Sequence, residues 1–229
     1  GSYRTQQREV VARLAQCEFE ERYDRLARRP TIDFVDSYAA AFRAEVLRRA
    51  GGFDPAFPHA NNEDVDLSYR LARLGYRFAF NRRAVVYHRH VAGWKGYFRL
   101  KLRRGYWRIM ALKMHPDKAL SDSYTPQLLK LQVLLVVAAV GAAPAGIVWR
   151  PGLGIAAAAL LVLLLSALPF VRTVWRCDRG VAMWAIPFVL VRSAAFALGI
   201  VAGLIGLPRF HPTLSPKVLA PAEAPRHQR

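Results

Sequence analysis

Hydrophobic and polar positions divide the chain into two regimes that meet near residue 130. Before that point short apolar repeats alternate with charge, and beyond it the chain is apolar almost without interruption. In the first regime, residues 7–29 predict a helix. Val10, Leu14 and Cys17, with Val11 beside them, fall on one face, Glu and Arg occupy the rest, and Pro30 ends the run. Thr31–Phe42 is rich in β-branched and aromatic residues and is expected to be extended. Glu45–Ala50 predicts a short helix with Gly51 at its left-handed C′ position, and Gly52-Phe53-Asp54-Pro55 a turn. A further helix opens at Asn61-Asn62, buries Leu67, Leu71 and Leu74, and closes at Gly75. Tyr76–Phe80 and Ala84–His88 read as short strands around an Asn81-Arg82-Arg83 turn.

The second regime reads as membrane helices. Residues 131–149 form an uncharged run of 19, long enough at 1.5 Å per residue to cover roughly 28 Å of hydrocarbon. Residues 153–171 form a second such run after Arg150-Pro151-Gly152, and 181–207 a third, interrupted by Arg192. A cation at that depth is costly. It is expected to snorkel, or to lie ahead of a helix that begins later, with contact to a phosphate or lipid headgroup as the functional alternative. Residues 208–229 are Pro-rich and expected to be disordered.

Charge sets the orientation. The net charge is +18 although 53% of residues are hydrophobic, and most of the charge lies ahead of the apolar runs. Between Leu67 and Pro116 there is no Asp or Glu but there are 13 Lys or Arg, interleaved with Trp94, Tyr97, Phe98, Tyr106 and Trp107. Residues 93–130 therefore predict a basic, aromatic amphipathic segment at an anionic membrane surface. That position disfavours a nucleic-acid partner. The cations before the first span, and Arg172, Arg176 and Arg179 in the second loop, put residues 1–130 on the cytoplasmic face, as in a bacterial-type inner membrane. The tail is then outside, although Arg209, Lys217, Arg226 and Arg229 weigh against this. Cys17 and Cys177 are expected to be free thiols. The first residues, among them Tyr3, Arg4 and Arg8, are too polar for a signal peptide.

Glu63, Asp64 and Asp66 cluster at a predicted helix start. Acids there are ordinary partners of the helix dipole, and only the context adds to that reading. Gly51-Gly52-Phe53-Asp54, then Glu63-Asp64-Val65-Asp66-Leu67, then Arg70, Gly75 and His88 form an ordered set over roughly residues 30–110. In that set the sequence resembles family 2 glycosyltransferases of GT-A fold.

The resemblance implies an inverting glycosyl transfer with Asp64 as general base and Glu63 and Asp66 orienting the site. It implies a divalent metal, Mg or Mn, with His88 as a ligand and His90 as the alternative. Arg103-Arg104-Gly105-Tyr106-Trp107-Arg108 is loosely similar to the Gln-x-x-Arg-Trp element of processive synthases, without the Gln. Arg103, Arg104 and Trp107 become candidate contacts to the diphosphate or acceptor, against the plainer reading of an interface helix. The family's nucleotide-binding strand–helix repeat and metal-binding Asp-x-Asp are expected ahead of Gly1, so residues 1–229 are not expected to be active alone.

The expected architecture is α/β: the C-terminal part of a GT-A domain over 1–92, the interface segment 93–130, an α-helical transmembrane region over 131–207, and the tail. The expected function is transfer of a sugar from a nucleotide-sugar donor to a membrane-associated lipid or glycan acceptor, in polysaccharide or glycolipid biosynthesis. The alternative is a non-catalytic membrane anchor or scaffold for a partner enzyme. A channel-like role is disfavoured by only three apolar runs.

Overall fold

The structure, a computed structural model, describes residues 1–57, 62–119, 123 and 125–206. In chain order the elements are β1 (Ser2–Arg4), α1 (Val10–Leu26), α2 (Ala44–Arg49), α3 (Glu63–Arg73), β2 (Val85–Tyr87), α4 (Trp94–Met114), α5 (Gln127–Val148), α6 (Pro151–Ser166), α7 (Leu168–Cys177) and α8 (Ala185–Leu204). The expected tail, and Asn61 of the expected cap, lie outside the described residues.

The strands differ from expectation. Residues 76–80 and 84–88 do not form a hairpin. Instead β2 pairs in parallel with β1, in the register Ser2↔Val85, Tyr3↔Val86 and Arg4↔Tyr87, and Phe78 makes a single antiparallel bridge to Ile32. The cause is packing of the residues read only as a polar start. Tyr3 is buried and lies edge-on to Phe19 and Tyr23 of α1, while Ser2 donates its N–H to the Ala84 carbonyl. Arg82, in the expected turn, instead pairs with Glu20 and Asp24 of α1. Parallel pairing through a crossover is an α/β arrangement, but only two strands are present among the described residues.

Helix α1 forms where its apolar face predicts, and Val11, Leu14 and Cys17 are buried. Its partners are unexpected. Together with Tyr97 of α4 they form one core with Phe170 and Val174 of α7 and Phe188 of α8. Each such side chain contributes about 1.5–3 kcal/mol when fully buried. The charged and apolar regimes therefore share a core. Arg13 of α1 closes the contact with a two-bonded ion pair to Asp178, between α7 and α8.

Three helices, Gln127–Val148, Pro151–Cys177 and Arg179–Leu204, are long and apolar enough to cross a membrane. The first two meet closely, since an added Cβ at Gly152 would fall 2.7 Å from the Gly146 nitrogen. Their outer ends are bare, with Ile147 87% and Val148 93% exposed, a surface suited to lipid.

Arg192 neither snorkels nor precedes its helix. It is buried inside α8 at 5% exposure. Its Nη2 donates to Gln132 Oε1 of α5 at 3.0 Å, Nη1 stands 3.5 Å from Glu18 of α1, and the guanidinium covers the Phe170 ring. Glu18 also accepts from Lys101 Nζ and the Tyr97 hydroxyl. Burial alone would raise the Glu18 carboxyl, but Lys101 and Arg192 hold it below its usual range. The apolar run tolerates this cation because the neighbouring helix supplies its carboxylate.

Candidate active site

The site is built around the start of α3. Asn62 precedes the helix in the left-handed region (φ 68°), the one non-glycine with positive φ among the described residues. Asparagine tolerates this conformation better than most residues. Its side chain does not cap the helix; Nδ2 reaches the Arg104 carbonyl of α4 at 3.4 Å instead. This contact ties the start of α3 to α4.

The three acids have separate environments. Asp66 is fully buried and turned into the domain. Its Oδ2 accepts from Arg70 Nε at 2.9 Å and its Oδ1 meets His115 Nε2 at 2.8 Å. Arg70 in turn donates to the carbonyls of Ala50 and Gly52. Asp66 therefore locks the Gly51-Gly52 turn and the end of α4 onto α3. Glu63 Oε2 is buried with no hydrogen-bond partner among the described residues.

Asp64 accepts from the Val65 N–H at 2.9 Å. Burial, then the charges of Asp36 and Glu63, push its carboxyl up to about 7, against the pull of Arg104. A carboxylate at that value can take a proton near neutral pH. Asp64-Val65-Asp66 is in sequence an Asp-x-Asp triplet. On a helix, however, positions two apart point roughly 200° from each other, and Asp66 is already engaged.

The same charges act on His88. It follows β2, donates its backbone N–H to the Arg4 carbonyl, and stacks on Tyr38 at 5.2 Å. Burial and Arg104 lower its pKa while Asp36 opposes them. Asp36, Asp64, His88 and Arg104 are therefore electrostatic neighbours contributed by four separate segments. His90 stands 4.9 Å from His88 but is buried, with its Nε2 on Gln16 Oε1 and its ring on Phe19. Burial and His88 push it down to about 4, so it is neutral at physiological pH.

Arg103 is exposed on α4. Trp107 is buried against Phe57, Tyr106 and Met110, which fixes α4 rather than offering a ring to a ligand. Among the described residues no three His, Cys, Asp or Glu converge to hold a metal. His88 could therefore supply one ligand of such a site, not the whole of it.

Two participants are invisible to motif reading. Asp36 lies in a stretch expected only to be extended, and it is held by Arg22 at 3.3 Å. Its one sequence signal is an acid interrupting an apolar run. His115 had no signal, being 49 positions from Asp66.

The segment that carries these residues resembles a known family. Residues 1–106 match the family model described as glycosyltransferase like family 2, a segment that runs from β1 into α4 and includes Asp36, Asp64, His88 and Arg104. Over 88 residues the chain is 33% identical to the pre-mycofactocin glycosyltransferase of Mycobacterium tuberculosis strain CDC 1551 / Oshkosh, and equally to that of strain H37Rv. The alignment covers 38% of this chain and 18% of each relative, so the chain spans under a fifth of the curated relatives it matches. No solved structure matches the chain.

Proposed function

We propose that the protein is a membrane-bound, inverting glycosyltransferase of GT-A fold, with Asp64 as general base. The acceptor hydroxyl oxygen attacks the anomeric carbon of a nucleotide sugar while its proton passes to Asp64. The bond from that carbon to the nucleotide diphosphate breaks, and the diphosphate leaves with the electron pair. The observation that carries this reading is the Asp64 carboxyl pushed up to about 7 beside Asp36, Glu63 and Arg104. A plain helix-capping acid has no need of such an environment. Arg104, facing the same carboxylate, is the cation assigned to the departing diphosphate.

A lipid-borne acceptor is supported by a cleft in which Arg22, Arg25, Lys101, Arg104 and Arg192 outnumber the two carboxylates beside them, Glu18 and Glu21, with Leu129 and Phe196 at its apolar side. It opens beside the start of α5, where a phosphate on a lipid chain could meet cations while its tail stays in hydrocarbon. The name of the mycobacterial relatives adds pre-mycofactocin to the acceptors to be tested. Residues 1–130 are assigned to the cytoplasmic face by the cation distribution, and the Arg13–Asp178 ion pair agrees with the α7–α8 connection lying on the same face.

The test is transfer from a panel of nucleotide sugars to lipid and glycan acceptors in membranes carrying the protein. Asp64→Asn is expected to lower turnover about 10²–10⁴-fold while leaving donor binding in place. Turnover like that of the unmodified protein would refute the assignment.

A further inference from the structure

We propose that α8 does not cross the membrane. On this reading α5 and the helix Pro151–Cys177 form a transmembrane hairpin, and α8 lies along the lipid surface on the side that carries residues 1–106. The C-terminus then returns to that side. The inference rests on helix packing and holds whatever reaction the protein performs.

The first observation is the contact between α4 and α8. The two helices run in the same direction, side by side, from end to end. Trp94 meets Trp184 and Phe188 at one end, with ring centroids 6.1 and 6.3 Å apart. In the middle, a Cβ on Gly105 would fall on the Phe196 carbonyl oxygen, and one on Gly199 on the Leu102 carbonyl oxygen. At the other end Gly203 lies 3.1 Å, by its notional Cβ, from Ile109 and from the Tyr106 carbonyl. Backbones this close cannot separate without losing the contact, so α4 and α8 share one depth along their whole length.

The second observation is what α4 carries. Lys95, Arg99, Arg103 and Lys113 are exposed, and the helix has no acid to offset them. Lys95 and Lys113 are roughly 27 Å apart at 1.5 Å per residue, about the thickness of the hydrocarbon layer. Were α8 to cross the bilayer, α4 would stand upright beside it and distribute these cations through the hydrocarbon. Snorkelling rescues a cation near one surface but not a row that spans the whole layer. With both helices lying flat, every one of these cations stays at headgroup level, where anionic lipid attracts it.

Helix α8 itself fits the flat arrangement. Ile186, Leu198, Val201 and Leu204 form an exposed apolar face, while Arg192 and Ser193 point inward to Gln132 and Glu18. Its covered face is mostly apolar as well, with Phe188, Val189, Phe196 and Ala197 packed inward beside those two polar residues, and a lipid leaflet is the occupant that suits the exposed one. The cations of the tail, Arg209, Lys217, Arg226 and Arg229, also favour the cytoplasmic side. That distribution conflicts with three crossings and agrees with two.

Two measurements test this. A green fluorescent protein or an alkaline phosphatase is fused after Arg229 in cells carrying the protein. The fluorescent fusion is expected to be bright and the phosphatase inactive, as for reporters on the cytoplasmic side. An active phosphatase there overturns the proposal. Separately, Cys17→Ala and Cys177→Ser provide a background for nitroxides placed singly at Ile186, Leu198 and Leu204, with depth read by power saturation in lipid vesicles. All three are expected at one shallow depth within about 5 Å. A crossing helix would spread Ile186 and Leu204 over roughly 27 Å, and a spread of that kind also overturns it.

Discussion

Replacing Asp64 with Asn is expected to make the protein more stable at pH 8 while removing its activity. The Asp64 carboxyl sits at about 7 rather than at its ordinary 3.8. Each pKa unit is worth about 1.4 kcal/mol, so ionising this group costs the folded protein on the order of 4 kcal/mol more than the unfolded chain. The sign follows from the raised folded value. Below about pH 4 both states keep the proton and nothing is lost. As pH rises from 4 towards 7 the unfolded chain releases its proton first and stability falls, and above 7 the loss is complete. Asparagine carries no such charge. Its stabilising effect is therefore expected to be near zero at pH 4, to grow through pH 5–7, and to level off by pH 8. There it amounts to a rise in Tm of about 8–16 °C for a chain of this size.

Thermal unfolding of the detergent-solubilised protein, run as a pH series for both forms, reads this directly. The activity arm is a pH profile of kcat/KM in the unmodified enzyme, which is expected to rise to a plateau with a midpoint near 7. Arg104→Gln moves that midpoint up and Asp36→Asn moves it down, because the first removes a cation and the second an anion. An Asn variant no more stable than the parent at pH 8, or one equally stabilised at pH 4, would refute the reasoning.

Glu18→Gln leaves Lys101 and Arg192 buried without their carboxylate, and is expected to cost about 3–5 kcal/mol in denaturant unfolding. Glu20→Gln, which breaks only the exposed pair with Arg82, is expected to change stability by less than about 1 kcal/mol. Gly199→Val drives a side chain into the Leu102 carbonyl and is expected to lower stability by about 1–3 kcal/mol. Gly154→Ala, where nothing lies within 4 Å, serves as the neutral comparison. Burial and the neighbouring Cys177 push the Cys17 thiol up to about 12, so a maleimide at pH 7.5 is expected to label exposed Cys177 and to reach Cys17 only after unfolding, as peptide mapping will show.

Local order was legible where one element's own residues decide it. The buried face of α1, the end of α3 at Gly75 and the three long apolar helices all follow from spacing and punctuation. Glu63 and Asp64 could be picked out because the turn before them and the histidine after them keep a fixed order. The strand pairing failed because the paired residues of β1 and β2 are 83 positions apart, and three polar-looking residues announce no partner. Asp36 and His115 were missed for the same reason: each gains its role from a neighbour distant in sequence.

The sequence by itself determined the division into a charged segment and an apolar one, the positions of the helices, and the likeness of residues 1–106 to a glycosyltransferase family. These depend on hydrophobic period, on chain punctuation and on the order of a few residues, all of which are properties of adjacent positions. Only the tertiary structure decided that the two segments share a core through α1, α4, α7 and α8, that Arg192 pairs with Glu18, and that Asp64 lies among charges from two other segments. Electrostatic and packing energies depend on distance in space. A pKa near 7 or a buried ion pair therefore exists only once residues remote along the chain have been brought within a few ångströms of each other.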